Sequence, residues 1–433
     1  MEPFKIIIVG GGIAGLAAAI ALRAPRREIL ILEQSPLHRE IGATISLQPN
    51  ASRIVESQWG LAAALRARGA MVDSAFEVYD LSGQLQTRVP LRTRDKYGAE
   101  RMIYHRADLH EALKQRATDG DYPGDGVRIR TGCRVRAVDC ERGTVQLETG
   151  EVVGADLVVG ADGIKSLVRR AVLAEDAQAG EGEGEGEREG EARPTGLCAY
   201  RMMIPTASLL REPAFAAVVD PREPKTTMVV GGDRRLVMGP AREGSIYGVV
   251  ALVPDERMHE SSRDTSWTTE GDRGKMLQTF ADFPAWAQTP LRLAEEVGLW
   301  QLRDLDPLRT WCKGRVILIG DAAHAMLPTQ GQGASQAVED AEALGAFFEG
   351  FEEAGKHLRG EEVGKVLQKV FECRFERAST IQAYSRQVAR PATDADSIRV
   401  AMNPAEFMDY NCSYRGAAEW WRRQTERKAV ECR

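Results

Sequence analysis

The stretch "FKIIIVGGGIAGLAAAIALRAPRREILILE", residues 4–33, decides the fold of this 433-residue chain. Phe4–Val9 has the unbroken apolar pattern of a buried strand, and Ile13–Ala24 is an alanine-rich helical run that Pro25 ends. A second apolar run then closes on Glu33. The pattern predicts a strand, a glycine-rich turn, a helix and a second strand, which is the repeating unit of doubly wound α/β sheets.

The glycines of this turn have the spacing GxGxxG. Gly10 permits the tight turn, Gly12 lets the backbone approach a pyrophosphate, and Gly15 lets the helix pack on the strand. Ala14 belongs to the same predicted cofactor-binding set, at the helix start whose N–H groups and partial positive charge attract phosphates. Glu33 can accept both hydroxyls of an adenosine ribose and would repel a 2′-phosphate. The motif predicts dinucleotide binding without choosing between NAD and FAD; the alternative is a glycine-rich turn in an ordinary α/β domain.

Composition places the chain among globular proteins with enough residues for two or three domains, because it is 43% hydrophobic and 28% charged. It contains no run of eighteen apolar residues, so we predict no membrane span, and its N-terminus lacks the pattern of a signal peptide. The seven cysteines form no CxxC pair or Cys/His cluster. We therefore predict no metal site, free thiols and a cytoplasmic location.

The segment Glu175–Arg193 is a glycine/glutamate repeat with eight acids and two arginines, so it alone accounts for the net charge of −6. The rest of the chain is balanced, which argues against a nucleic-acid partner, because such a surface needs a basic face. Low complexity and self-repulsion predict a surface loop between two structural blocks. An acidic partner-binding segment is the alternative.

Two later stretches choose between the dinucleotides. In "ADLVVGADGIKSLVRR", residues 155–170, a strand ends at Gly160 and Asp162-Gly163 precedes a helix; in "GRVILIGDAAHAMLP", residues 314–328, a strand ends in Gly320-Asp321. With GxGxxG, these motifs occur in the order found in the FAD-dependent aromatic hydroxylases. The chain resembles these single-component flavoprotein monooxygenases, of the salicylate-hydroxylase and fungal polyketide-hydroxylase type. Lesser matches extend the resemblance over residues 4–345: "GATISLQPNASRIV", "YHRADLHEAL", "TGLCAYR" and "LRDLDPLRTW".

The resemblance implies roles in FAD binding for the stretch around the third motif. Asp321 would accept a ribityl hydroxyl. The loop after it would present N–H groups to the flavin pyrimidine edge, where the helix beginning near Gly333 adds its positive end. Such a preorganised dipole stabilises the anionic reduced flavin. The residues of this loop are Pro328, Gly331, Gln332, Gly333 and Ala334.

Further cofactor roles follow from the resemblance. Arg106 would reach the FAD pyrophosphate and flavin from a helix start, with a surface salt bridge as its alternative. Gly42 and Ala43 would let the backbone pass close to the cofactor. Asp162 would support FAD and the nicotinamide path, or be structural. His324 is interpreted as a packed or hydrogen-bonded residue rather than a base.

The implied fold class is α/β, a Rossmann-type FAD-binding domain interleaved with a mostly antiparallel β-sheet substrate domain and followed by C-terminal helices. Four segments are predicted: a discontinuous FAD-binding domain (1–75, 100–175 and 300–350), the substrate domain (76–99 and 195–299), the acidic loop (176–194) and the C-terminal helical region (351–433).

The substrate would meet Arg201, the predicted catalytic residue, which in some fungal relatives pairs with a substrate phenolate or carboxylate. The chain departs from the family at Gly239, where a tyrosine commonly precedes the proline. Tyr247 on the next strand is a candidate substitute for that tyrosine. Alternatively, Gly239 opens the pocket for a bulkier substrate.

The resemblance implies an NAD(P)H- and O2-dependent monooxygenase that hydroxylates a phenolic or aromatic-acid substrate, polyketide-derived ones included, through a flavin C4a-hydroperoxide. NADH or NADPH would bind transiently, since only one GxGxxG is present, and relatives include monomers and dimers. Epoxidation or decarboxylative hydroxylation on the same fold stays open. Halogenation is disfavoured because no WxWxIP stretch occurs. An NAD-dependent dehydrogenase would explain Glu33 but not the two later motifs, and a flavin-bound protein without turnover is a third class.

Overall fold

The structure is a computed structural model that describes residues 2–35, 43–122, 124, 126–174, 189–258, 268–350, 360–389 and 400–431. Gly42 and residues 175–188 of the acidic segment lie outside the described residues, so the predictions made for them stay predictions.

The described residues form twenty strands, which fall into four sheets. In chain order they are β1 (Phe4–Val9), β2 (Arg27–Leu32), β3 (Thr44–Leu47), β4 (Met71–Val72), β5 (Ala75–Tyr79), β6 (Leu85–Pro90), β7 (Met102–His105), β8 (Val127–Arg130), β9 (Val135–Asp139), β10 (Thr144–Leu147), β11 (Val152–Gly154), β12 (Leu157–Gly160), β13 (Arg193–Pro205), β14 (Thr226–Val230), β15 (Arg235–Ala241), β16 (Ile246–Pro254), β17 (Thr268–Glu270), β18 (Gly298–Asp304), β19 (Cys312–Lys313) and β20 (Val316–Leu318).

Fifteen α-helices are present in the described part of the chain, with a π-helical turn at Ile54–Gln58 and 3₁₀ turns at Asp255–Arg257 and Pro328–Gln330. The α-helices are α1 (Ile13–Leu22), α2 (Pro49–Arg53), α3 (Ala62–Arg66), α4 (Arg94–Tyr97), α5 (Arg106–Thr118), α6 (Leu167–Leu173), α7 (Thr206–Leu209), α8 (Pro213–Ala216), α9 (Arg273–Thr279), α10 (Ala285–Leu293), α11 (Asp321–His324), α12 (Gly333–Phe347), α13 (Gly360–Ala389), α14 (Pro404–Cys412) and α15 (Ala417–Glu431).

The chain divides into two compact units. The first comprises Met1–Arg39, His110–Arg193 and Asp304–Arg433, and the second comprises Glu40–Leu109 and Pro194–Arg303. These units are an observed grouping of contacts; the domain boundaries given above stay a prediction.

The first unit is built on a six-stranded sheet in the order β19-β20-β12-β1-β2-β8. All neighbouring pairs are parallel except β19 with β20. Because parallel strands end at one edge, the turns after β1, β2, β12 and β20 gather there, which is where doubly wound sheets bind ligands. The apolar run of β1 is buried from Ile6 to Val9, as expected for a central parallel strand.

Helices α1 and α12 pack side by side in this unit and run in the same direction. Gly320 lies against Ala14 near the start of α1 and against Ala337 near the start of α12, and Gly345 lies against Ala21 near the two helix ends. The two positive helix N-termini therefore lie at the same end of the pair.

The second unit contains an eight-stranded sheet in the order β17-β18-β13-β16-β15-β14-β5-β6. Its registered pairs are antiparallel except β14 with β5. One face of the sheet carries Tyr200 and Tyr247, which are buried in a core with Phe215. Since side chains alternate along a strand, Arg201 and its cross-strand partner Val250 lie on the opposite face.

The described residues of the C-terminal segment form the helices α13, α14 and α15, in agreement with the prediction of C-terminal helices. Helix α13 buries Val366 and Val370, and its Phe371 packs edge-on against Trp311. Together with the parallel and antiparallel sheets, these helices confirm the predicted fold class. Across the ranges that the structure describes, no helix combines the length and the apolar character that crossing a membrane requires.

Candidate active site

The three glycines of the first motif have different reasons for being glycine. Gly10 has φ +107°, and a Cβ there would lie 2.3 Å from the carbonyl oxygen of Ala161; a Cβ at Gly15 would lie 2.0 Å from the carbonyl oxygen of Gly10. A Cβ at Gly12 would meet no atom of the described part of the chain within 4 Å. Gly10 and Gly15 are therefore required by packing, whereas Gly12 leaves open space beside the turn.

Glu33 lies at the end of β2, beside this turn. Its Oε2 accepts the N–H of Gly11 at 2.7 Å, and its Oε1 accepts the N–H of Ser35 at 2.7 Å. Each carboxylate oxygen keeps a further lone pair, so the pair fits the two hydroxyls of a ribose. His110, which the sequence did not single out, contacts the Gly11 carbonyl oxygen through Nε2 at 2.7 Å and supports the turn.

The N-terminus of α1 is suited to an anion. The N–H of Leu16 donates to the carbonyl of Gly12 at 3.0 Å, which is the first bond of the helix. The N–H groups of Ile13, Ala14 and Gly15 precede it and have no intrahelical acceptor, as at any helix start. These donors and the open space at Gly12 fit a pyrophosphate.

Asp162 of the second motif points at a helix start. Its Oδ1 accepts the hydroxyl of Ser166, and its Oδ2 accepts the N–H groups of Leu167 at 2.7 Å and Val168 at 3.1 Å. Asp162 thus caps α6, which favours the structural interpretation of this residue. Its role in cofactor binding stays a prediction.

Arg169 connects the second and third motifs and was missed at the sequence level. Its guanidinium donates to the carbonyls of Ile164 and Ala322 at 2.6 and 3.0 Å, and approaches that of Asp321 at 3.4 Å. Burial is the main cause of the lowered pKa of Arg169. The side chain holds the start of α11 beside the loop that leads into α6.

The third motif places Asp321 at the start of α11 with its side chain exposed. Among the residues that the structure describes, no donor is hydrogen-bonded to the Asp321 carboxylate. A Cβ built on Gly333 would lie 4.0 Å from its Oδ1, so the carboxylate is close to the N-terminus of α12. Gly331 is left-handed at φ +62°, and its N–H donates to the carbonyl of Pro328 at 3.0 Å. The N–H groups of Gly333 and Ala334 in the first helical turn have no intrahelical acceptor.

Behind this loop lies a buried group of polar side chains, which we call the Asp340 cluster. Its centre is Asp340, whose Oδ2 accepts the N–H of Gly320 at 2.9 Å and contacts His324 Nε2 at 2.6 Å. Arg374 Nε donates to its Oδ1 at 2.9 Å. The cluster consists of His324, Gln336, Glu339, Asp340, Arg374 and Arg377.

The charges of the Asp340 cluster are balanced. Glu339 is paired with Arg374 at 2.6 Å and with Arg377 at 2.7 Å. Burial by itself would raise the pKa of Asp340, but His324, Arg374 and the Gly320 N–H outweigh it and lower that pKa to about 2. The sequence contained a signal for this cluster, namely two adjacent acids inside a small-residue helix and two arginines on the apolar stripe of α13.

In the second unit, Arg201 is a cation that has no counter-ion among the residues that the structure describes. Burial, and secondly the nearby charge of Arg106, lower the pKa of Arg201 to about 10. Among the described residues, no carboxylate pairs with Arg201, and its buried Nε has no hydrogen-bond partner. Its guanidinium carbon lies 5.0 Å from the ring centroid of Trp300, a contact the sequence did not reveal. Arg106 begins α5, and its N–H donates to the carbonyl of Ala43 at 2.8 Å.

One of the two expectations about the family tyrosine position fails. Tyr247 does not replace that tyrosine, because it lies on the face of the sheet opposite to Arg201, fully buried against Phe215, and burial raises its pKa. A Cβ at Gly239 would lie 3.1 Å from the carbonyl oxygen of Lys225, and the interpretation that Gly239 opens the pocket stays a prediction.

The fold and this edge of the sheet define a dinucleotide-binding α/β protein, and comparison with known proteins gives its family. A family model described as "FAD binding domain" matches residues 4–358. Salicylate hydroxylase of Pseudomonas putida is 32% identical over 420 residues, 94% of this chain and 91% of that protein. Hispidin-3-hydroxylase of Neonothopanus nambi is 30% identical over 355 residues, 79% of this chain and 80% of that protein. A solved salicylate hydroxylase substrate complex superimposes with a TM-score of 0.72 at 26% identity, covering 91% of this chain and 92% of that one.

The chain therefore belongs to the FAD-dependent monooxygenases of the aromatic-hydroxylase type. The residues present fit the cofactor: the open space at Gly12, the remaining acceptors of Glu33, the exposed Asp321 carboxylate and the N–H groups at two neighbouring helix starts. These residues are predicted FAD ligands, and no metal ligand set of three His, Cys, Asp or Glu side chains forms in the described ranges.

Proposed function

We propose that this protein uses NADH or NADPH and O2 to hydroxylate a small aromatic substrate that carries a phenolate or carboxylate, and that Arg201 receives this anion. The observation that carries the proposal is the guanidinium of Arg201, which lacks a carboxylate partner among the described residues. A buried charge is expensive unless it is paired, so proteins rarely keep one without a use.

Arg201 is also preorganised. Its contact with the Trp300 ring, at 5.0 Å, restricts the side chain without consuming its N–H donors. A guanidinium held in this way presents several donors to a planar anion, so little conformational entropy is lost on binding.

The pairing has a chemical consequence for the substrate. A cation beside a phenol favours the ionised form and lowers the phenol pKa, which makes the ring more electron-rich. Bound FAD supplies the chemistry of taking electrons from NAD(P)H and activating O2 for the transfer of one oxygen atom. Arg201 contributes binding, orientation and the ionised state of the substrate. The names of the relatives, a salicylate hydroxylase and a hispidin hydroxylase, agree with a hydroxylated aromatic substrate.

The test uses the FAD-loaded protein. Anaerobic reduction of the flavin by NADH and by NADPH is followed with and without salicylate or 3-hydroxybenzoate as probes. Turnover under isotopically labelled O2 is then analysed by mass spectrometry. We expect faster reduction with a probe present and a product that gains one labelled oxygen atom. A flavin that neither coenzyme reduces, with any probe, would contradict the proposal.

Arg201→Lys and Arg201→Gln form the matched pair for the role of the cation. The lysine variant keeps the charge and the glutamine variant removes it. We expect the lysine variant to keep part of the substrate response and the glutamine variant to lose it, while both retain FAD.

A further inference from the structure

The Asp340 cluster lies directly behind Asp321, the predicted ribityl contact. Asp340 is connected to the chain on both sides of Asp321. Asp340 belongs to α12, whose first turn carries the N–H groups of Gly333 and Ala334. The Asp340 side chain is hydrogen-bonded to the Gly320 N–H and to His324, the residues that flank and end the four-residue helix α11. Asp321 is the first residue of that helix.

Both ends of α11 depend on the same carboxylate. Gly320 has φ +57° and ψ −141°, a conformation essentially restricted to glycine, so the orientation of its peptide needs outside support. The N–H groups of Ala323 and His324 both donate to the Gly320 carbonyl at 2.9 Å. The His324 imidazole is hydrogen-bonded to Asp340. The Asp340 side chain therefore contacts both Gly320, before the helix, and His324, at its end.

The contacts of His324 favour one tautomer. Its Nδ1 is buried and has no hydrogen-bond partner in the ranges that the structure describes, whereas its Nε2 lies 2.6 Å from Asp340 Oδ2. A proton on Nδ1 would leave a buried donor unsatisfied, which is costly. We therefore place the proton on Nε2, from which it is donated to Asp340.

We propose that Asp340 is a positioning residue for the cofactor, because it holds the Gly320–Asp321 turn and the N-terminus of α12 in one fixed arrangement. Asp340 itself does not touch FAD. It acts through Asp321 and through the helix start, which are the predicted FAD contacts, and this inference does not depend on the identity of the aromatic substrate.

The chain offers a closely matched control, Glu339. It is the neighbouring residue in the same helix, is equally buried and pairs with the same Arg374. Its carboxylate pairs with Arg374 and Arg377 of α13 and accepts a hydrogen bond from Gln336. Asp340→Asn and Glu339→Gln each remove one buried negative charge opposite Arg374, but Asp340→Asn also alters the group that contacts Gly320 and His324.

The experiment measures the dissociation constant of FAD from flavin fluorescence, and the urea unfolding of each apoprotein, for Asp321→Ala, Asp340→Asn and Glu339→Gln. We expect both aspartate variants to bind FAD about tenfold or more weakly, as expected for disturbed charge-assisted hydrogen bonds. The Glu339→Gln variant should lose apoprotein stability comparable to that of Asp340→Asn but keep its FAD affinity within about threefold.

Two results would overturn the proposal. If Asp340→Asn and Glu339→Gln weaken FAD binding equally, the cluster supports only general stability. If Asp321→Ala binds FAD normally, Asp321 is not a cofactor ligand and Asp340 has nothing to position. Should Asp340→Asn fail to fold, His324→Leu replaces it, since that change removes the imidazole, with its contacts to Asp340 and Trp311, and leaves the pairing of Asp340 with Arg374. Weaker FAD binding by His324→Leu than by Glu339→Gln then supports the proposal, and equal binding rejects it.

Discussion

Arg374 and Arg201 are two buried or partly buried arginines in different units, and their surroundings are opposite. Arg374 is fully buried and paired with Glu339 and Asp340, which outweigh burial and raise its pKa. Arg201 lies beside Trp300, and burial first and the like charge of Arg106 second lower its pKa to about 10. The first region satisfies its own charges, so we interpret it as structural. The second leaves a charge unmet among the described residues, so we interpret it as a receptor for a ligand.

The largest expected difference between the two regions is in stability. Arg374→Met would remove the arginine partner of buried Asp340 and leave buried Glu339 with Arg377, and we expect it to lower the free energy of unfolding by about 3–5 kcal/mol. Arg201→Met removes a charge that has no carboxylate partner among the described residues, so its effect should stay within about 1 kcal/mol. Urea unfolding of the two apoproteins at neutral pH compares them. Equal losses would remove the distinction between a paired and an unpaired arginine.

The pH dependence of protein stability tests whether ionised Asp340 stabilises the region around Arg374. The pKa of Asp340 is lowered from 3.8 to about 2, so below pH 4 the unfolded chain binds more protons than the folded protein. The stabilisation from its ionised form, about 2 kcal/mol, is present above pH 4 and lost as the pH falls toward 2. Unfolding of the wild type and of Asp340→Asn is measured from pH 5 to pH 2.5. We expect the difference between them to shrink with falling pH; a constant difference would contradict the prediction.

Gly12 and Gly15 differ in the room that the surrounding residues leave for a Cβ atom. A Cβ at Gly12 would have no atom of the described residues within 4 Å, whereas one at Gly15 would lie 2.0 Å from the Gly10 carbonyl oxygen. Gly12→Ala should therefore change apoprotein stability by less than about 1 kcal/mol but weaken FAD binding about tenfold or more. Gly15→Ala should destabilise the apoprotein itself, although alanine is normally the better helix former. Isothermal titration with FAD, together with thermal unfolding, separates the two. Normal FAD affinity in Gly12→Ala would show that the open space is not the cofactor site.

The smallest expected effect concerns Trp300. Trp300→Leu removes the ring that restricts Arg201, a contact of about 0.5–1 kcal/mol, so KM for an anionic substrate should rise roughly two- to fivefold. The Trp300→Phe variant keeps an aromatic ring beside Arg201, so its KM should rise less. Steady-state oxidation of NADH or NADPH in the presence of the substrate measures both values. An unchanged KM in Trp300→Leu would mean that the ring does not orient the guanidinium.

The sequence was sufficient for the features that depend on neighbours along the chain. The strand, turn, helix and strand of residues 4–33 have the predicted order, and α12 begins at Gly333 as expected. Glycine spacing and apolar periodicity are local properties, so they can be read without tertiary contacts.

The features that the sequence did not reveal depend on distant contacts. Asp340 meets Arg374 only because α12 and α13 pack together, and 34 residues separate the two. Tyr247 was a candidate substitute for the family tyrosine, but the pairing register of β13 and β16 decides which side chains share a face and places it opposite to Arg201. The hydrogen bonds of Asp162 to the start of α6 and of the Gly331 N–H to the Pro328 carbonyl depend on turn geometry, which motif spacing does not specify.

The most direct test of the account is whether Arg201 recognises a negative charge. The dissociation constants of salicylate and its neutral amide, salicylamide, are measured from changes in the flavin absorbance of the FAD-loaded wild type, Arg201→Lys and Arg201→Gln. We predict that the wild type binds the anion about tenfold or more tightly than the amide, and that the preference persists in part with lysine and disappears with glutamine. An anion preference that is equally strong in Arg201→Gln would contradict the claim that this unpaired cation is the substrate receptor.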